Sequence, residues 1–262
     1  MADRIYIASD MHFGASIREH SLPREKHFVA WLNSIQDHCQ ELILLGDVFD
    51  FWFEYKHVIP KGYVRLLGKL ADLADSGIPV SIFTGNHDLW LKDYFPTELG
   101  IAVHTKPAFR EWYGQTYYLA HGDGLGPGDH LYKAAKRVFT NRLAQWCFRW
   151  MHPDVGIGLA RMASGMSNHH NYAQPRLSPK VDLYGEQEWL YIHSQQILKD
   201  HPQTAFFVYG HRHVMLNENL TDSCRLIMLG DWIQYHSYLE ITPNQTELRT
   251  FPLPEQSSTS QL

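Results

Sequence analysis

Cysteine is scarce. Cys39, Cys147 and Cys224 are scattered over 262 residues with no CxxC pair, so no disulfide framework is written into the chain and reduced thiols are expected. Long apolar runs are also missing. None approaches the roughly 18 residues that suggest a membrane span. The opening Met-Ala-Asp-Arg leads straight into a short apolar strand, without the charged-then-apolar form of a secretory leader. These absences lead us to expect a cytoplasmic protein. Nor is there an overall excess of positive charge: the net charge is −5, which argues against a nucleic-acid partner.

What is present is globular. The chain is 44% hydrophobic and 19% charged, and its length suits one large domain or two small ones with a core that needs no staples. Histidine is abundant, at 17 residues. Charge is uneven. Residues 129–180 hold eight Lys or Arg against Asp129 and Asp154, a net of +6 within a chain of −5. A basic segment inside an acidic protein calls for an anionic ligand or surface.

Apolar β-branched runs alternate with amphipathic stretches in the first half. Arg4–Ser9, Glu41–Leu45 and Pro79–Phe83 read as strands. Pro23–His38 reads as a helix, and so does Tyr63–Ala74, with an apolar stripe of Val64, Leu67, Leu70 and Ala74. The β-α-β-α-β order implies parallel strands. Ala108–Trp112 and Thr116–Ala120 flank a turn at Tyr113-Gly114-Gln115. Then His130–Met151 has helical spacing up to Pro153, and a weaker helix covers Asp154–Met166. Glu186–Lys199 is helical. Thr204–Tyr209, Arg225–Leu229, Tyr235–Ile241 and Glu247–Phe251 read as strands. The expected organisation is one domain over 1–254, with a helical insertion at 125–182 and a disordered tail at 255–262.

Five short motifs follow expected strands: Asp10-Met-His12, Gly46-Asp47-Val-Phe-Asp50, Gly85-Asn86-His87-Asp88, His121-Gly-Asp123 and Gly210-His211-Arg-His213. Ligands bind beyond the carboxyl ends of strands in α/β sheets, so distant motifs can share a cleft. On extended chain, Asp-x-His and His-x-His put both side chains on one side. Aspartate oxygen with neutral imidazole suits manganese, iron or zinc better than calcium or magnesium. Asp47 has two oxygens and can bridge two ions. Asp10, His12 and His213 can hold one, and Asn86, His121 and His211 the other. Such a pair polarises a phosphoryl group and supplies hydroxide near neutral pH.

This ordered set resembles the calcineurin-like metallophosphoesterase superfamily over residues 5 to about 235. The resemblance implies an α/β fold, a four-layer αββα sandwich of two mixed sheets with outer helices. It implies two divalent ions, with Mn2+ expected, on the seven ligands just named. It also implies that His87 assists the leaving group and that Asp88 orients it.

A narrower resemblance is to the UDP-2,3-diacylglucosamine pyrophosphohydrolases of lipid A biosynthesis, which release UMP and 2,3-diacylglucosamine 1-phosphate. Gly46-Asp-Val-Phe-Asp-Phe-Trp52 is similar to their Gly-Asp-Leu-Phe-Glu-x-Trp, and Leu229-Gly230-Asp231-Trp232 to their Leu-Gly-x-Trp. Their helical lid follows the same His-Gly-Asp motif. Asp129 and Tyr132 match its start. Ser167 and Asn171, after Ala160-Arg161-Met162, match a later Ser-Asn pair with one residue inserted. Substrate contacts are thereby implied at Asn86, His87, Asp129, Tyr132, Ser167, Asn171 and His211. The better-known members of that family have Arg where this chain has His87.

The resemblance implies an anionic lipid-linked sugar nucleotide as partner and peripheral contact with the inner membrane surface. Lys133, Lys136, Arg137, Arg142, Arg149 and Arg161 can meet phosphates. Val138, Phe139, Leu143, Trp146, Phe148, Trp150, Met151, Leu159, Met162 and Met166 can line an acyl groove, where each buried methylene contributes about 0.8 kcal/mol. The alternative is a metallophosphoesterase for another phosphoester or nucleotide. Oligomeric state is not legible in the sequence.

Overall fold

A computed structural model describes residues 2–15, 21–126, 130–159 and 188–253. Its first sheet is built from β1 (Arg4–Ala8), β2 (Cys39–Leu45), β3 (Val80–Phe83) and β4 (Ala102–His104), all parallel. β10 (Ser237–Ile241) and β11 (Thr246–Thr250) extend it antiparallel on the far side of β1. The second sheet runs β5 (Ala108–Trp112), β6 (Gln115–Ala120), β7 (Thr204–Tyr209), β9 (Cys224–Leu229), β8 (Met215–Thr221). Its middle three strands are parallel and its two edges antiparallel.

Period-2 alternation divides the core into three layers of contact. Ile5, Ile7, Ile43 and Leu45 face Leu119, Val208, Ile227 and Leu229 between the sheets. Tyr6, Ala8, Leu42 and Leu44 point the other way, onto Phe28, Trp31 and Leu32 of α1 (Ser21–Ile35) and Leu66, Leu70 and Leu73 of α2 (Val64–Asp75). Tyr118, Phe207 and Tyr209 back onto Leu190 of a helix at Trp189–Asp200. Helix, sheet, sheet, helix is the expected αββα order.

Helix α2 departs from its expected stripe. Val64 is 74% exposed, while Leu66, Leu70 and Leu73 are buried. The buried Glu25 of α1 sets this phase. Its carboxylate accepts from the backbone N–H of Arg65 and Leu66, capping α2 from a neighbouring helix. The short helix α3 (Tyr94–Glu98), β4 and β8 carry too little periodicity to be read from sequence. The β5–β6 turn is two residues, not three: Tyr113 and Gly114 both have positive φ, as a tight hairpin requires.

The expected long helix His130–Met151 is two helices, α4 (His130–Phe139) and α5 (Arg142–Arg149). Asn141 ends the first and caps the second, accepting from Leu143 and Ala144 N–H. Residues 153–159 form a further helix, α6, and Trp189–Asp200 is α7, capped by the Glu188 carboxylate. The rest of the expected 154–166 helix and the 255–262 tail lie outside the described residues. Phe148 of α5 docks this region on the main body. Its ring lies 4.7 Å from Phe53 and 4.9 Å from Trp90, centroid to centroid. The Trp90 Nε1–H donates to the Phe139 carbonyl at 2.6 Å.

Candidate metal centre

The five motifs converge beyond the strand ends, held by backbone bonds that continue the sheets. Asp10 N donates to Gly46 O, His12 N to Asp47 O, and Gly210 N to His121 O. The convergence is not made by extended chain, contrary to the side-alternation expected for Asp-x-His and His-x-His. Asp10, His12, Asp47, His211 and His213 all have φ between 45° and 65°. Left-handed backbone at these non-glycine residues is strained, and such strain gathers at functional sites. Glycine is needed where the loops press closest. A Cβ on Gly46 would lie 2.6 Å from His121 Cγ and closer still to its Nδ1. One on Gly85 would lie 2.6 Å from Asp47 N and closer still to its Oδ1.

Asp47 occupies the middle. Its Oδ2 is 3.5 Å from His12 Nε2 and 3.3 Å from His121 Nε2. Its Oδ1 is already used, accepting the His87 backbone N–H at 2.8 Å. One oxygen, not two, is therefore shared between the sides. On the first side, His213 Nε2 lies 3.3 Å from both Asp10 Oδ1 and His12 Nε2. On the second, Asn86 Oδ1 lies 2.9 Å from His211 Nδ1 and 3.3 Å from His121 Nε2. Asp10, His12, Asp47 and His121 are buried. Among the described residues the donor atoms gather into three overlapping groups, Asp10–His12–His213, His12–Asp47–His87 and Asp47–His121–His211, each within 4.8 Å, and this mix of hard oxygen and imidazole nitrogen fits divalent cations.

The electrostatics divide the ligands. Burial opposes charge on Asp47, but His121, His87 and His12 outweigh it and hold its pKa well below the usual range. Burial likewise opposes protonation of His121, yet Asp47 above all, then Asp10 and Asp123, hold its pKa well above ordinary. His211 is pushed down to about 3 by burial and by His121. His12 is lowered mainly by burial. Burial opposes protonation of His213 too, but Asp10 and Asp231 outweigh it and raise its pKa. Asp47, His12 and His211 are thus in the forms a cation takes, whereas His121 and His213 must give up a proton to ligate.

Two expectations are corrected. Asp88 does not orient His87. Its Oδ1 accepts from Gly85 N–H at 2.7 Å, and its Oδ2 from Val48 N–H at 2.8 Å and, more weakly, Phe49 N–H. It is a buried tie between two loops, and burial and Asp47 push its pKa up to about 7. His87 Nδ1 instead lies 3.0 Å from the Asp50 carbonyl and 3.5 Å from Asp50 Oδ1. A carbonyl only accepts, so Nδ1 carries the hydrogen and Nε2 is turned to other partners. Asp50, second acid of Gly46-Asp-Val-Phe-Asp50, was the available signal. The second correction concerns the basic segment. Lys136 Nζ pairs with Asp123 at 2.5 Å and Lys133 Nζ donates to Gly126 O, so these two lysines tether α4. Phe148 points inward rather than lining a groove. Val138, Phe139, Leu143, Trp146, Trp150 and Leu159 are each more than half exposed. Asp129, Arg161, Met162, Met166, Ser167 and Asn171 lie outside the described residues, as does the side chain of Tyr132.

No family profile matches the chain. A UDP-2,3-diacylglucosamine hydrolase of Porphyromonas gingivalis is 36% identical over 245 residues, 91% of this chain and 94% of its own length. The chain belongs to the UDP-2,3-diacylglucosamine hydrolase family. A member from a Shewanella strain is 25% identical over 257 residues, 97% of this chain and 99% of that one. Among solved structures, a dimetal phosphatase from Danio rerio has a TM-score of 0.47 and 12% identity, over 96% of this chain and 99% of its own. Asp231 is the third residue of Leu229-Gly230-Asp231-Trp232. It is fully buried, and its Oδ2 lies 3.1 Å from His213 Nδ1.

Proposed function

We propose that the protein hydrolyses the diphosphate of UDP-2,3-diacylglucosamine to UMP and 2,3-diacylglucosamine 1-phosphate, using two manganese ions. Asp10, His12, Asp47 and His213 hold one ion, and Asp47, Asn86, His121 and His211 the other. The observation that carries this reading is the Asp47 Oδ2 atom, placed between two imidazole sets in a member of this hydrolase family. When bound, such ions polarise the phosphoryl oxygens and provide a nucleophile near neutral pH. The chain supplies the rest. Asp47 Oδ1, fixed by the His87 N–H, keeps Oδ2 aimed at both sides. His87, pinned at Nδ1 by Asp50, offers Nε2 to the leaving oxygen. In its doubly protonated form the ring can give the Nε2 proton to that oxygen, where the arginine of better-known members would offer a fixed charge.

Residues 125–182 act as the lid for the acylated substrate, with Asp129, Tyr132, Ser167 and Asn171 as its polar contacts. Exposed Trp146 and Trp150, 6.0 Å apart, and the exposed Arg137 and Arg142 support peripheral contact with an anionic membrane. Among the described residues no helix is long and apolar enough to cross a membrane.

The test is a manganese-supplemented assay of UDP-2,3-diacylglucosamine against UDP-GlcNAc, a dinucleoside polyphosphate and a simple phosphodiester. Selective UMP release from the lipid substrate is expected, and nearly all of it is lost in Asp47→Ala. Equal rates on all four substrates, or full activity in Asp47→Ala, defeat the proposal.

A further inference from the structure

The loop between β9 and β10 has no part in the ligand sets, yet it touches the first of them twice. The Trp232 N–H donates to the Asp10 carbonyl at 3.1 Å. Asp231, fully buried, divides its two oxygens between two tasks. Oδ1 accepts from the N–H groups of Ile233, Gln234 and Tyr235, at 3.1, 2.7 and 3.2 Å, and so closes the turn. Oδ2 lies 3.1 Å from His213 Nδ1. Closing the turn needs one acceptor oxygen, which an asparagine or serine could supply. The second oxygen, equally buried, has another partner to serve.

We propose that Asp231 is the positioning residue for the first ion. It fixes His213 with the hydrogen on Nδ1 and the lone pair on Nε2, the atom that faces Asp10 and His12. This rests on the reading of His213 as a ligand of that ion. A carboxylate behind a ligating histidine fixes its tautomer and ring angle and raises its basicity. The two sides of the centre are then unequal. His121 Nδ1, on the second side, lies 2.9 Å from the Leu45 carbonyl, a neutral acceptor. The ion on the His213 side has a buried carboxylate behind its histidine.

Asp231→Asn is the discriminating change. Its carbonyl can keep the three turn bonds, which leaves the amide NH2 facing His213 Nδ1. An amide N–H there requires a bare Nδ1, so the ring hydrogen moves to Nε2, where it blocks ligation. Metal per protein is measured at graded free Mn2+ by mass spectrometry. We expect Asp231→Asn to weaken one of the two ions about 10–100-fold and leave the other unchanged. The same change in a His213→Ala background should have no further effect. Wild-type affinity for both ions in Asp231→Asn, with one ion lost in His213→Ala, overturns the proposal and leaves the ligand set standing. Two ions retained in His213→Ala overturn both. If Asp231→Asn does not fold, 15N NMR of the wild-type protein loaded with Zn2+ decides. A hydrogen on Nδ1 of His213 is expected, and one on Nε2 refutes the assignment.

Discussion

Adding one methyl group at Gly85 should disable the centre without touching any ligand. In Gly85→Ala the new Cβ would sit 2.6 Å from Asp47 N and 2.8 Å from Asp47 Cγ. The nitrogen is backbone and cannot swing aside, so the Asp47 loop must move. Overpacking of this kind costs about 1–3 kcal/mol, which for a chain of this size lowers Tm by about 2–12 °C. The bond from His87 N–H to Asp47 Oδ1 is charge-assisted, and its loss adds about 1.5–3 kcal/mol. A displacement of Oδ2 by about 1 Å is enough to cut turnover about 100-fold. Gly68→Ala is the matched control. It lies on the exposed side of α2 with nothing within 4 Å. The same methyl there should stabilise by about 0.5–1 kcal/mol and leave turnover alone. Calorimetry, metal content and UMP release on both proteins check this. Gly85→Ala with wild-type turnover and two bound ions would falsify the argument that close approach to Asp47 is why glycine stands there.

His87→Ala should lower turnover while metal content stays at the wild-type value, because neither proposed ligand set includes His87, although it stands beside His12 and Asp47; a parallel loss of metal contradicts this. Manganese binding to the chelated protein should release protons, since Asp47 holds His121 protonated despite its burial. Affinity should therefore rise with pH up to the raised pKa of His121, and calorimetry in buffers of different ionisation enthalpy reads the release directly. The sign for stability is opposite. A raised folded pKa at His121 makes its contribution in the chelated protein complete below about 6.5 and lost as pH rises through the folded value. Phe148→Ala should loosen α5 first, because its ring is the contact with Phe53 and Trp90. Faster amide exchange in 142–149 with little change in β1–β3 is expected; uniform exchange across the chain refutes it.

Much of the site was legible because its chemistry sits in short motifs with glycine beside the ligand. The strands were legible because Ile5, Ile7, Ile43 and Leu45 form the inner face of the buried sheet. What the motifs could not convey was how side chains pair across loops. Asp88 follows His87 in sequence, yet its oxygens face Gly85, Val48 and Phe49, while Asp50 reaches His87 from another strand end. Asp231 follows β9 as a Gly-Asp pair, as Gly46-Asp47 follows β2, so a signal was there. The phase of α2 was misread because its start is set by Glu25, some 40 residues away. The break at Asn141 was hidden by apolar residues that kept helical spacing on both sides of it.

The register of β1 against β10 has a consequence for how the protein is made. Ile5 pairs with Ile241, and the β9–β10 loop lies between that pairing and the site. A chain emerging from the ribosome has Asp10, His12 and Asp47 early, but His211 and His213 only after four-fifths of its length. The second sheet lacks its β9 strand until later still. A nascent chain can therefore bring early ligands together only in part, and cannot assemble the full set before His213 has been synthesised. Loading of the His213 side would then follow synthesis of β1, β2 and β7 rather than accompany it.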